Sequence, residues 1–285
     1  MQRMRIDHLT EYRFSSPLAL MPHRMMLRPR ENHGLRIVSS KLDITPLPSI
    51  RWHRDALDNS VAVATFTGVT SCLRIESSVV VEHHDEEPLD FVVEDHAVVY
   101  PFGYIGPDSD VLAPFRSLTW PHDGAALEGW LAHLELRAGA IETYVLLHRM
   151  NRAIHERMRC EVREEPGVQS PALTLARGSG ACRDLAALFM ESCRQLGLAS
   201  RFMSGYLHAP GTAEGATHAW AEVYIPGAGW KGFDPTCGRL TGADHVAVAA
   251  AHHPEHVPPV AGSFLGSAAE RPTMLATVRV QRLAV

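Results

Sequence analysis

Basic charge is not in excess in this chain. Its 27 lysines and arginines stand against 32 aspartates and glutamates, for a formal net charge of −5. That balance lacks the electrostatic footprint nucleic acid selects, and it offers an anionic membrane surface nothing to hold. No apolar run reaches the roughly 20 residues a spanning helix needs. Charges interrupt the opening MQRMRIDHLTEYRF every few residues, so no secretory signal is expected there. Cysteines are few: Cys72, Cys160, Cys182, Cys193 and Cys237. Five is odd and none forms a CxxC pair. A disulfide framework is therefore not expected, a reducing cytoplasm is, and at least one thiol is free for chemistry. A basic phosphate-gripping loop, an EF-hand-type calcium loop and a closed four-ligand Cys/His set are all missing. Neither a cofactor nor a metal is expected.

Hydrophobic residues make up 46% of the 285, enough for a full core in one or two domains. The first part alternates with period two. Ile6, His8, Thr10, Tyr12 and Phe14 share a face, and short β-rich runs follow at Leu35–Thr45, Ser49–Arg54, Val61–Phe66 and Leu73–Val81. Asn32-His33-Gly34, Pro46-Leu47-Pro48 and Asp58-Asn59 punctuate them, as in a small antiparallel β-sandwich. The charged stretch His83 to Pro88 ends this region. The Pro/Gly-rich text up to about 120 reads as a connector. Helical stripes come next: Leu127, Trp130, Leu131 and Leu134, then Ile141, Tyr144, Val145, Met150 and Ile154. A third helix opens at Cys182, with Leu185, Leu188, Phe189, Ser192, Cys193 and Leu196 on one face and Gly197 suited to its C-terminal cap. Strands are predicted at Arg201–Leu207, His218–Ile225 and Trp230–Asp234, the last two flanking the hairpin signal Pro226-Gly227-Ala228-Gly229. Met274–Leu283 reads as one more strand. The expected organisation is a β domain over 1–85, a connector over 86–120, and a core over 121–285 that includes the C-terminal strand.

Three positions carry chemistry. Cys182 follows a Gly-rich turn and opens a helix, where unpaired N–H groups and the helix dipole favour a thiolate. A buried structural cysteine is the bland alternative. His218 shares a strand face with Trp220, Glu222 and Tyr224, while Ala219, Ala221, Val223 and Ile225 form a small apolar face suited to packing under the helix. One histidine among 17 is more often a surface or core residue than a catalyst. Asp234 precedes Pro235, which ends the strand. It serves either as a turn-former or as a carboxylate that accepts an imidazole N–H and fixes its tautomer. For Asp234 and His218 to share a face, their hairpin needs an odd-length loop or a bulge.

Together the three are far more specific. Gly-x-Cys-x-Asp opening a helix, His-Ala-Trp on a strand and Asp-Pro-Thr on the next resemble the transglutaminase-like superfamily. Cys182-Arg183-Asp184-Leu185-Ala186, Leu196 to Arg201 and Ser204-Gly205-Tyr206-Leu207 look like its bacterial branch. Thr10-x-Tyr12 and Leu27-Arg28-Pro29-Arg30 are similar to the β domain that precedes the core there. The resemblance implies an α+β papain-like core, with the nucleophile helix on an antiparallel sheet. It implies Cys182 as nucleophile, His218 as general base and acid, and Asp234 as orienting carboxylate. The activity implied is cysteine-dependent acyl transfer on a peptide, protein or carboxamide substrate. Hydrolysis, as in a protease or amidase, is preferred over transglutaminase crosslinking. Arylamine acetyltransfer and a non-catalytic binding module of the same fold are the rivals. The oligomeric state stays open.

The sequence departs from that branch in places. Ala251 to His256 stands where a Gly-Arg-Asp-Tyr element is common, Cys160 where an aromatic is, and Arg183 where a glutamine is. Cys182 N–H is a candidate oxyanion donor. Gln169 is expected on the surface, Asp184 is expected to support the fold, and Trp220 is expected to cover the site. His252, His253 and His256 read as a solvated loop.

Overall fold

A computed structural model describes residues 1–84, 89–134, 139–208, 216–266 and 270–283. Six strands come first: β1 (Gln2–Leu20), β2 (His23–Met25), β3 (Leu35–Thr45), β4 (Ser49–Arg54), β5 (Ser60–Thr65) and β6 (Thr70–His83). The middle of the chain carries α1 (Pro107–Leu112), α2 (Gly124–His133), α3 (Thr143–Arg157), α4 (Pro171–Arg177) and α5 (Cys182–Gln195). Two-residue strands lie between them: β7 (Val99–Tyr100), β8 (Ile141–Glu142), β9 (Arg159–Cys160) and β10 (Ser179–Gly180). The remaining strands are β11 (Ser200–Leu207), β12 (Ala216–Ile225), β13 (Gly229–Asp234), β14 (Arg239–Leu240), β15 (His245–Ala251), β16 (Val260–Ala261), β17 (Phe264–Leu265) and β18 (Thr273–Leu283).

Alternation builds the first domain as expected. On β6, Leu73, Ile75, Ser77, Val79 and Val81 turn inward while their neighbours face outward. Each fully buried aliphatic side chain there stabilises the fold by about 1.5–3 kcal/mol. β1 pairs antiparallel with β6, which pairs with β3. A second sheet runs β16-β2-β5-β4. Phe14, Leu18, Leu20, Ile44, Leu73 and Ile75 of the first sheet meet Met25, Ala62 and Ala64 of the second across a closed apolar layer.

The C-terminal strand is not part of the catalytic core, contrary to expectation. β18 pairs with β1 along eleven residues, from Arg3 opposite Leu283 to Arg13 opposite Thr273. β17 extends the same edge, and β16 completes the second sheet. The reason lies in β1, which at 19 residues presents a long open edge that needs a partner. Strands β16, β17 and β18 thus finish the β domain begun by β1.

The connector also does more than link. Its Tyr104 hydroxyl donates to Tyr224 O and accepts from Ala199 N, and Tyr100 donates to Leu196 O. These bonds lay residues 95–120 along the core. In α3 the buried stripe is Leu146, Leu147, Met150 and Ile154, so Tyr144 and Val145 are not core-facing as expected. Residues 85–88 of the charged stretch lie outside the described residues.

The core is a five-stranded sheet, β14-β13-β12-β11-β15, antiparallel throughout, with α5 packed on it. Ala219, Ala221, Val223 and Ile225 form the apolar face of β12 and join the cluster built around Leu185, Leu188 and Phe189 of α5. Sheet covers α5 on one side, and α2, α3 and α4 cover the other. The helix is therefore buried all round from Asp184 to Arg194, not along a single face. Gly197 takes a φ of +80° past its end, as a helix terminus there requires.

Polar bonds hold the two domains together. Asn59 donates to Ala250 O and accepts from Ala250 N, and Arg30 holds Asn59 in place. His8 contacts the Tyr206 hydroxyl at 2.9 Å.

Candidate active site

The chain enters α5 through a fixed turn. Gly178 closes α4 in the left-handed region at φ +63°. Ser179 and Gly180 then pair in parallel with Arg159 and Cys160. Cys182 follows as the first residue of α5, partly buried. Asp184, fully buried, accepts from Ala181 N at 2.8 Å and Gln169 N at 2.8 Å, and pairs with Arg163 Nε at 2.8 Å. A carboxylate at this end also suits the helix dipole. Asp184 thus supports the turn, as expected. Gln169 is buried rather than on the surface, with its amide among Thr174, Ser179 and Arg177. Arg183 donates to the carbonyls of Gly167, Arg163 and Glu165. It pins the segment that runs past the cysteine.

The hairpin supplies the other two groups. Ile225 stands opposite Gly229 and Ala221 opposite Phe233, so the loop is the three residues 226–228. That odd length sets Asp234 and His218 on the same face, as the geometry demanded. His218 Nε2 lies 2.8 Å from Asp234 Oδ2, with His218 almost buried and Asp234 fully so. Asp234 Oδ1 accepts from Thr236 N at 2.9 Å, so the residue is both turn-former and imidazole partner.

Electrostatics follow from this enclosure. Burial opposes charge on His218, but its hydrogen bonds to Asp234 and Cys182 and their charges outweigh it, and the imidazole is pushed up to about 10. Burial also opposes ionisation of Asp234. The two imidazoles hydrogen-bonded to it, His218 and His245, overcome that and hold its carboxyl far below the usual carboxylate range. With Nε2 committed to Asp234, Nδ1 is the nitrogen left for Cys182.

Other thiols fare differently. Burial pushes Cys193 far up and Cys237 up to about 12. Partial desolvation of its sulfur, then the nearby charges of Cys182 and Asp234, raise Cys160.

Trp220 does not cover the site. It is fully buried, its ring 6.3 Å from that of His218, and it lies over Gly205. A Cβ on Gly205 would sit 2.6 Å from the indole and 2.3 Å from Val246 O, so only glycine fits opposite His218. His245 was not anticipated. Nothing in its local sequence marks it, because its partner is reached only across the sheet. Ligand atoms of His218, Asp234 and His245 lie within 4.8 Å of one another. The two His–Asp separations, 2.8 Å and 3.0 Å, are hydrogen-bond lengths. His252, His253 and His256 form no such cluster among the described residues; His253 and His256 stack, and Trp120 packs against His253.

A helix opened by a thiol and packed on an antiparallel sheet, with an imidazole and a carboxylate at the same end, defines a papain-like α+β core. Residues 4–82 match the bacterial transglutaminase-like N-terminal region and residues 134–235 match the transglutaminase-like superfamily. The chain belongs to the bacterial branch of that superfamily. An uncharacterized protein of Mycobacterium tuberculosis is 28% identical over 291 positions, covering 91% of this chain and 87% of its own. One of Mycobacterium leprae is 24% identical over 293, covering 94% and 95%. The crystal structure of a putative cysteine protease from Cytophaga hutchinsonii superposes with a TM-score of 0.77 at 18% identity, over 100% of this chain and 91% of that one. That likeness establishes a common fold. No helix among the described residues is long and apolar enough to cross a membrane.

Proposed function

We propose that the protein is a cysteine-dependent acyl-transfer enzyme acting on a peptide or carboxamide bond, with Cys182 as nucleophile, His218 as general acid and base, and Asp234 as the orienting carboxylate. The observation that carries this reading is the placement of His218, which is buried with its Nε2 2.8 Å from Asp234 Oδ2 and lies beside Cys182 at the start of α5.

The first step needs the thiol proton of Cys182 to reside on His218. The Cys182 sulfur attacks the carbonyl carbon, and the C–N bond breaks as His218 gives its proton to the leaving amine. A thioester forms. Cys182 then carries no charge, so one of the influences holding a proton on His218 is gone. The neutral imidazole can take a proton from the acceptor that resolves the thioester. Water as acceptor gives hydrolysis, and an amine gives crosslinking.

Hydrolysis is the preferred outcome. The Cytophaga hutchinsonii structure bears the name of a cysteine protease, and no calcium loop is legible here. All five cysteines are free, in keeping with a reducing, cytoplasmic setting. Substrate choice is assigned to the loops around 209–217 and 251–259, of which 209–215 lie outside the described residues.

A panel of peptides, amides and amine-donor pairs, run with wild type and Cys182→Ala, tests the reading. Turnover by wild type alone supports it. Equal turnover by both proteins overturns it, and a thioester-dependent product with an added amine in place of hydrolysis moves the reaction to transfer.

A further inference from the structure

His245 opens β15, two strands from the hairpin that carries His218 and Asp234. It is buried, and its Nε2 lies 3.0 Å from Asp234 Oδ2, the same oxygen that His218 contacts. Gly242 N–H donates to its Nδ1 at 3.3 Å. A backbone N–H on Nδ1 leaves the proton of a neutral imidazole on Nε2, aimed at Asp234. The ring stands edge-on to Trp220, centroids 5.4 Å apart, and 6.1 Å from the His218 ring. Backbone and indole therefore fix it before Asp234 is considered.

Asp234 is consequently held from several directions. Oδ2 faces two imidazoles and Oδ1 faces Thr236 N. The other titratable groups around it are Cys182 of α5, Cys160 of β9 and Cys237 just after β13, with Arg239 of β14 beside Cys237. The Cys237 thiol also hydrogen-bonds to Asp234, but a thiol is a weak donor, whereas His245 offers a fixed N–H to the oxygen that orients His218.

We propose that His245 is a positioning residue: by donating its Nε2–H to Asp234 Oδ2 it locks the carboxylate that orients His218 and sets how firmly His218 keeps its proton. The inference rests on the acid–base role given to His218 above. An oxygen shared between two donors attracts each less than an oxygen serving one. Removing the His245 donor therefore strengthens the pull of Asp234 on the remaining proton while loosening the orientation of the carboxylate.

The experiment reads protonation, not turnover, so it stands apart from the Cys182→Ala assay. Uniformly 15N-histidine-labelled full-length protein is titrated by NMR, with His218 assigned by the loss of its signal in His218→Gln and His245 likewise. In wild type, His245 is expected as the neutral Nε2–H tautomer with a downfield ring proton that moves in Asp234→Asn. In His245→Leu, the His218 midpoint is expected to rise, by roughly half a pH unit or more. His245→Gln, whose amide can donate, is expected to fall closer to wild type. An Nδ1–H tautomer of His245 in wild type overturns the proposal even if His245→Leu does not fold. So does a folded His245→Leu protein with an unchanged His218 titration. If these results hold while Cys182→Ala stays active, the functional reading fails and the His245–Asp234 bond stands.

Discussion

The β-sandwich and the catalytic core are built by different means. Between the two sheets of the sandwich the closed layer is built mainly from apolar side chains, Phe14, Leu73 and Ile75 among them. Around α5, charge is buried. Glu191 and Arg194, both fully buried, pair at 2.8 Å. Arg194 also donates to Phe115 O, Ser200 O and His252 O, while Glu191 accepts from Thr119 N and Trp120 N. Asp184 and Asp234 are buried as well, each with its donors. A sandwich held by apolar burial tolerates small changes in shape. A core whose polar groups each have a dedicated partner does not, because the group left behind is costly.

The largest expected effect lies at the end of α5. Cys182→Ala should lower turnover by at least about 10³-fold with an unchanged melting temperature, and His218→Ala should come within roughly tenfold of it, since such groups act as a unit. Comparable loss of stability would move Cys182 from chemistry to architecture. Asp234→Asn follows. It should keep the fold yet cost about 10²–10⁴ in kcat, because a carboxamide cannot serve both imidazoles as acceptor and keep the tautomer.

The contrast in construction is sharpened by two stability measurements. Arg194→Ala should cost about 3–5 kcal/mol by chemical denaturation, leaving Glu191 buried and unpaired. Ile75→Val in the sandwich should cost only about 0.5–1.5 kcal/mol. Equal costs would break the comparison.

A smaller effect is expected with pH. His218 has a folded pKa of about 10 against an ordinary 6.5, so its protonated form favours the folded state. That contribution is complete below pH ~6.5 and is lost as pH climbs toward about 10. The denaturation midpoint of wild type should fall across this window more steeply than that of His218→Ala. A midpoint equally flat in both would place the His218 pKa near its ordinary value.

What the sequence made legible follows the same divide. Period-two alternation marked β1, β-rich runs between turn signals marked β3 and β6, and the small apolar face of β12 was readable from its own alternation. Cys182, His218 and Asp234 were found through residue types at the ends of elements and the motifs around them. Three features were not visible. β18 reads as a strand, but pairing with β1 joins the two ends of the chain, and no local signal records that. Asp184–Arg163 and the Glu191 contacts with residues 119 and 120 link positions distant in sequence. His245 sits in Asp244-His245-Val246, and its contact with Asp234 is made only across the sheet. The histidines at 252–256 caught the eye by density alone, yet His253 and His256 stack on each other, His253 packs against Trp120 and His252 against Phe115.

The central claim is that Cys182 is activated by His218, and the most direct measurement of it is competitive alkylation. Full-length protein is treated with a low dose of iodoacetamide at neutral pH and the labelled cysteines are mapped by mass spectrometry, in wild type and in His218→Ala. Cys182 is expected to be labelled before Cys72, Cys160, Cys193 and Cys237, and His218→Ala is expected to slow Cys182 selectively. An inert Cys182 with label on any of the other four, or a Cys182 rate indifferent to His218, would contradict it.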